Sequence, residues 1–185
     1  MKKQLQKIFF LFFLTGCMAV PQHSFESELQ SDKFYQVPFQ QIIFISNIKR
    51  FDSAHHIENK LPKSPEQIVQ SWIHKNLKED AHQNTTLQII LNQAEIIREN
   101  LPSEHWWQSD YIQDTLNYNI ELVQNQDHTT NNRLTVAGKT YVQMGRRISL
   151  ADKEKQWAKL YRTMLDHLGK EISTHISHVI QSHKN

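Results

Sequence analysis

Three stretches of the chain alternate apolar and polar residues at the two-residue period of a half-buried strand. Two others repeat apolar residues at the 3.6-residue period of an amphipathic helix. The cleanest alternation is Tyr111 to Val123, where Leu116, Tyr118, Ile120 and Leu122 point inward and Asn117, Asn119 and Glu121 outward. Arg133 to Met144 places Leu134, Val136 and Val142 on one face. Thr85 to Ile97 is less regular, with Leu87, Ile89 and Leu91 on one parity and Ile90, Ala94 and Ile96 on the other. A fourth segment, Tyr35 to Ile48, holds Phe39 and the run Ile42-Ile43-Phe44-Ile45. Apolar residues on both parities predict a central strand buried on both faces, with Pro38 near its start, where a missing donor is tolerated.

The helical stretches carry their own start signals. Ser64-Pro65-Glu66-Gln67 combines a capping serine, a proline at the first helical position and the glutamine of a capping box. Ile68, Val69, Trp72, Ile73 and Leu77 then share one face, predicting a helix to about Glu79. The last helix starts at Ser149, with Asp152 three residues on, where an acid suits the dipole. Trp157, Leu160, Tyr161, Met164, Leu165, Leu168, Ile172, Ile176, Val179 and Ile180 follow at helical spacing. Gly169 inside this helix costs up to about 1 kcal/mol relative to alanine, a cost that a close packing contact would explain. Polar loops fill Lys49 to Lys63 and Arg98 to Ser109, and a polar turn fills Gln124 to Asn132. The order is strand, helix, three strands, long helix, and the short later links imply an antiparallel meander. The expected fold class is α+β, a two-layer β-α-β-β-β-α sandwich: a mostly antiparallel four-stranded sheet with two helices on one face.

The N-terminus changes the picture. Lys2, Lys3 and Lys7 precede the apolar run Ile8 to Leu14, and small residues follow, which is the layout of a secretory signal. The run is far shorter than the ~20 residues of a spanning helix. Leu14-Thr15-Gly16-Cys17 resembles the lipobox of bacterial lipoproteins, in which signal peptidase cuts before the cysteine and the thiol receives a diacylglycerol. The resemblance implies a signal peptide over residues 1–16 and a lipidated Cys17 that anchors the chain to a membrane. Each buried methylene contributes about 0.8 kcal/mol, and two chains hold where one holds only marginally. Residues 17–33 are polar and aperiodic and read as a flexible tether, leaving 34–185 as a single α+β periplasmic domain. Met18, rather than Asp, follows the cysteine, which by resemblance to Gram-negative lipoproteins implies the periplasmic face of the outer membrane.

Charge and cysteine count narrow the partners. Of 21 lysines and arginines three lie in the leader, so 18 remain against 19 acids. A near-neutral domain offers no electrostatic case for nucleic acid. Cys17 is the sole cysteine, so the domain must be held by its core without disulfides.

Candidate chemistry is sparse. His167, Glu171, His175 and His178 sit at i, i+4, i+8 and i+11 on the last helix, within about 80° of one another. Such a set can share zinc or copper, or can simply flank an apolar stripe in a chain with 11 histidines. There is no His-Glu-x-x-His pattern, so no metal and no cofactor is expected. No Gly-x-Ser-x-Gly turn and no spare thiol is present, and only Gly138, Gly145 and Gly169 follow the leader, too few for a phosphate cradle. Glu104, His105 and Asp110 share a loop and are read as solvated, so no catalytic residue is expected. Trp106-Trp107 on the same loop either packs beneath it or exposes one ring as a contact for a protein or lipid partner. Arg146-Arg147 is solvated or reaches anionic headgroups.

Lipobox and element order together resemble small outer-membrane lipoproteins that assist envelope transport. Two families share this architecture: the lipoprotein that plugs the lipopolysaccharide translocon, and the auxiliary lipoproteins of ABC-type lipid transporters. Leu61-Pro62-Lys63-Ser64-Pro65 leading into Trp72 also resembles a group of uncharacterised alphaproteobacterial lipoproteins. Met18-Ala19-Val20-Pro21 stands where the translocon lipoprotein has a Gly/aromatic segment, so no binding residue carries over from that family. The resemblance implies a non-enzymatic accessory component of envelope assembly or lipid transport, binding a protein or lipid through the Trp106-Trp107 loop and an open sheet face or edge. The rival is a periplasmic metal-binding module or enzyme using the helix histidines.

Overall fold

The computed structural model describes residues 25–30, 33–49, 53–79, 85–102, 110–126 and 129–182. In chain order these form a single helical turn α1 (Phe25–Glu28), strands β1 (Tyr35–Val37) and β2 (Gln41–Ser46), and helix α2 (Pro65–Asn76). There follow β3 (Leu77–Glu79), the long strands β4 (Thr85–Leu101), β5 (Tyr111–Gln126) and β6 (Thr129–Gly145), and helix α3 (Leu150–Ser182). One sheet runs in the order β2-β4-β5-β6, with β2 parallel to β4 and the remaining pairs antiparallel. β1 and β3 form a separate two-stranded parallel sheet. Helices α2 and α3 pack with the inward faces of β4, β5 and β6 into one apolar core, so the fold is the α+β sandwich that the periodicity predicts. Among the described residues no helix is long and apolar enough to cross a membrane.

The two parities of β4 have a single explanation. The pairing with β5 slips between Leu91 and Gln93, so Asn92 is the extra residue of a β-bulge. Before the bulge the odd residues Leu87, Ile89 and Leu91 face the core, and after it Ala94 and Ile96 do, all at most 1% exposed. What reads as a two-faced strand is one apolar face with a step in it. β5 keeps its register, burying Ile112, Leu116, Tyr118, Ile120 and Leu122 as the alternation predicts. The expected polar turn over 124–132 is shorter than its composition suggests, because β5 runs to Gln126 and β6 starts at Thr129.

The first strand departs most from expectation. Tyr35 to Ile48 is not one central strand: Pro38 divides it into β1 and β2, and β2 lies at the sheet edge. Proline supplies no N–H to a ladder, so the break falls there. Thr85 Oγ1 donates to the Pro38 carbonyl at 3.0 Å and Gln40 N–H to the Thr85 carbonyl at 2.9 Å, holding the step closed. Of the apolar run, Ile42 and Phe44 turn to the core, while Ile43 and Ile45 face the other side of the sheet, all four half-buried.

Both helix starts form as the sequence predicts. Ser64 Oγ accepts from Gln67 N–H at 3.3 Å and Gln67 Oε1 from Ser64 N–H at 3.0 Å, a complete capping box with Pro65 behind it. α2 ends at Asn76, three residues before the expected Glu79, because Leu77–Glu79 pairs with β1. Ser149 Oγ accepts from Asp152 N–H at 3.1 Å at the head of α3. Gly169 is the site of a close approach: a Cβ there would stand 2.6 Å from the Tyr35 hydroxyl. Phe25, inside the stretch expected to be tether, is buried edge-on against Tyr161, with ring centroids 6.4 Å apart. Beside it Glu26 pairs with Lys63 at 2.7 Å, and this hydrogen bond and charge hold its carboxyl below the usual value.

Candidate functional site

Two polar clusters, one buried and one part-buried, support the fold. Asp114 lies on the inward face of β5, fully buried, between Ile112 and Leu116. Arg98 of β4 donates to both its oxygens at 2.7 Å, and Trp157 Nε1 of α3 donates to Oδ2 at 2.7 Å. The guanidinium also sits over the Trp157 ring, 5.9 Å from a ring centroid. A buried carboxylate tolerates such a site because its charge is paired and its lone pairs are filled.

The second cluster takes in part of the expected metal set. The Tyr118 hydroxyl lies 2.7 Å from His167 Nδ1, and His167 Nε2 lies 3.6 Å from Glu171 Oε1. Burial pushes the Tyr118 phenol up, and Gly138 across the strand leaves room for its hydroxyl, where a Cβ would collide. One imidazole nitrogen is thus turned to Tyr118 and the other to Glu171. His175 lies one turn further on, and the side chain of His178 is outside the described residues. Among the described residues no three of His, Cys, Asp and Glu are placed to share a metal ion.

The feature that can hold a ligand is at the sheet edge. Asn47 N–H donates to the Leu91 carbonyl at 2.9 Å, the last backbone link between the β2 segment and β4, and Asn47 Nδ2 donates to Asn92 Oδ1 at 3.1 Å. The chain returns to the same edge at His55–Ile57. There Ile57 N–H donates to the Ile96 carbonyl at 3.2 Å and Arg98 N–H to the His55 carbonyl at 2.8 Å. Between these pairings, over Asn92–Glu95, no described strand lies along the outer edge of β4. A cavity of about 690 Å³ opens at this notch, bordered by the first turn of α2. Its size falls within the ~300–1,000 Å³ of small-ligand sites.

The lining mixes carboxylates, amides and apolar surface. Glu58, Glu66 and Glu95 face it, as do Asn119, Leu61 and Pro62. Glu58 Oε1 accepts from the Ile96 N–H at 2.5 Å, Glu95 Oε1 from Gln93 Nε2 at 2.6 Å, and Glu66 Oε1 from Ser46 Oγ at 3.4 Å. Lys63, also at the rim, is held by Glu26, so Lys49 is the one lining cation without an acid partner among the described residues. Nothing in the sequence reading located this cavity. The signal was the parity switch between Leu91 and Ala94, which marks a bulge.

Cys17, Trp106, Trp107, Glu104 and His105 are outside the described residues. Arg146 is exposed and pairs with Asp110 at 3.0 Å.

No protein-family model and no curated protein matches the sequence. Several solved structures are similar at low identity, among them the following three. The rare lipoprotein B of Shewanella oneidensis is 17% identical, with 74% of this chain and 97% of that one covered, at a TM-score of 0.40. A minor lipoprotein of Acinetobacter baumannii is 13% identical, over 76% and 92%, at 0.37. A homologue of a neuraminyllactose-binding hemagglutinin from Helicobacter pylori is 10% identical, over 83% and 95%, at 0.45. These likenesses are distant and transfer no role to any residue of this chain.

Proposed function

We propose that this chain is a lipid-anchored envelope protein without enzymatic activity, which works by binding a component of an assembly or lipid-transport machine. The observation that carries the reading is Leu14-Thr15-Gly16-Cys17 behind a basic, apolar leader. Cys17 is the acylated residue, and Met18 after it directs the protein to the periplasmic face of the outer membrane. The absence of a nucleophile motif and of any second cysteine in the sequence supports a binding role. A notched sheet edge with a cavity of small-ligand size supports it too. The Trp106-Trp107 pair is a second contact for the partner.

The test is intact mass of the full chain produced in a Gram-negative host, with an alkyne fatty acid supplied for labelling. Wild type is expected to lose residues 1–16 and gain a diacylglyceryl group plus one N-acyl chain, and Cys17→Ala to carry no label. A wild-type product with a bare thiol overturns the reading. Photo-cross-linking at position 107 in cells then identifies the component bound.

A further inference from the structure

We propose that the outer edge of β6 pairs with the same edge of a second copy of this chain, giving a two-fold dimer with one continuous sheet. The backbone sets the first requirement. β6 is the last strand of its sheet, with β5 on one side only. Arg146 N–H donates to the Asp110 carbonyl at 3.2 Å, in the same register as the pairs from Ile112–Met144 to Gln124–Asn132. Even-numbered residues of β6 therefore turn their N–H and C=O toward β5, because the orientation alternates along an antiparallel pair. The odd-numbered residues Arg133, Thr135, Ala137, Lys139, Tyr141 and Gln143 turn theirs to the outer edge, and all six are exposed. The backbone is continuous from Thr129 through α3, so no undescribed segment bridges the interval. An open strand edge of this kind is a template for strand addition.

The side chains along the edge select the occupant. Two identical strands that meet antiparallel oppose odd residues to odd ones about a two-fold axis. With the axis at Gly138, Tyr141, 61% exposed in the single chain, faces Thr135 of the second copy. Lys139 faces Ala137, and Arg133, already paired with Glu121 at 2.9 Å, faces Gln143. On the inner side the half-buried Leu134 faces Val142, an apolar pair made twice that extends both cores. The axis falls on a residue without a side chain, where opposed Cα atoms come within about 4.5 Å. The space a Gly138 Cβ would take is filled by the Tyr118 hydroxyl of the same chain. Neighbouring registers lose the match. With the axis at Lys139 the two Lys139 side chains stand opposite each other. With it at Ala137, Leu134 faces Thr140 and Val142 faces Asn132. A lysine on an edge strand discourages pairing with foreign strands, yet about Gly138 it meets an alanine. The strand thus fits itself in one register, which commits the edge to a second copy.

The experiment is native mass spectrometry of the full chain, released from detergent, with hydrogen exchange measured on the same preparation. Wild type is expected to form a dimer, and exchange across 133–143 is expected to slow as protein concentration rises. Ala137→Lys sets a lysine against Lys139 of the second copy and is expected to weaken the dimer about tenfold. Ala137→Glu sets a carboxylate there and is expected to strengthen it by about as much. Ala137→Lys combined with Lys139→Glu restores opposite charges and is expected to recover the dimer. Residue 137 is exposed, so each variant keeps the fold, which circular dichroism checks. A wild-type chain that stays monomeric up to about 100 µM overturns the proposal. So does an equal effect of lysine and glutamate at 137, or concentration-dependent protection over 41–46 in place of 133–143. Acylation is read from the mass in the same spectrum, so a failure here is distinguishable from a failure of the lipid anchor.

Discussion

Asp114 shows how much a single side chain inside the sandwich depends on its partners. Its charge is removed from water and balanced by Arg98, 16 residues away, and by Trp157, 43 residues away, each at 2.7 Å. Removing one member of such a pair leaves the other charge buried, at about 3–5 kcal/mol. Asp114→Ala is expected toward the low end of that range, because the Arg98 side chain keeps 21% of its surface in solvent. Urea unfolding midpoints check it, and a loss below about 1 kcal/mol would show that the network carries little. The apolar partners of this residue were legible, since Leu116, Tyr118, Ile120 and Leu122 alternate without a break. The ionic network was not, because its members are brought together only by the sheet and by α3. A trace of it was present: Asp114 falls on the inward parity of its strand, and an acid there requires a cation opposite.

At the scale of elements, the contacts that decide geometry are steric. α3 crosses β1 where Gly169 meets the Tyr35 ring, so close that a Cβ there would force the ring to shift. Gly169→Ala gains about 1 kcal/mol of helix propensity and loses about 1–3 kcal/mol to overpacking, so the net expected change is destabilising. Tyr35→Phe removes the nearest atom and should recover part of the loss, read as a coupling energy in a double-mutant cycle. If G169A is stabilising, the helix and β1 do not meet as described. The helix starts were legible because a capping box is local chemistry: Ser64 and Gln67 are three residues apart and need no tertiary help. β1 and β2 were not, because the run Ile42–Ile45 carries no mark of which edge it will occupy. The bulge at Asn92 was written in the parity of β4, but a switch of parity reads equally as two buried faces until the pairing with β5 is known.

For the molecule as a whole, alkali is the informative stress. Burial raises the phenol of Tyr161, with Glu58 adding to it, and burial raises those of Tyr118 and of Tyr35, with Asp166 adding to the latter. A group whose folded pKa lies above the unfolded value, about 10 for tyrosine, contributes stability that is complete below that pH. The contribution is lost as pH rises through the folded value. Of the five tyrosines, Tyr161 is therefore expected to ionise together with unfolding, and Tyr118 and Tyr35 after the two exposed ones, Tyr111 and Tyr141. The last phase of tyrosinate absorbance and the loss of circular dichroism should coincide; early ionisation of all five with helix content intact would contradict this burial. The Tyr161 hydroxyl, buried without a hydrogen-bond partner among the described residues, makes Tyr161→Phe the control that moves the transition upward. The seating of Phe25 under α3 has a consequence for reach. Only eight residue steps separate it from Cys17, about 28 Å when drawn taut. Were Cys17 acylated as proposed, so short a leash would confine the molecule to a thin shell beside its own bilayer, and whatever it grips would have to be delivered to that shell.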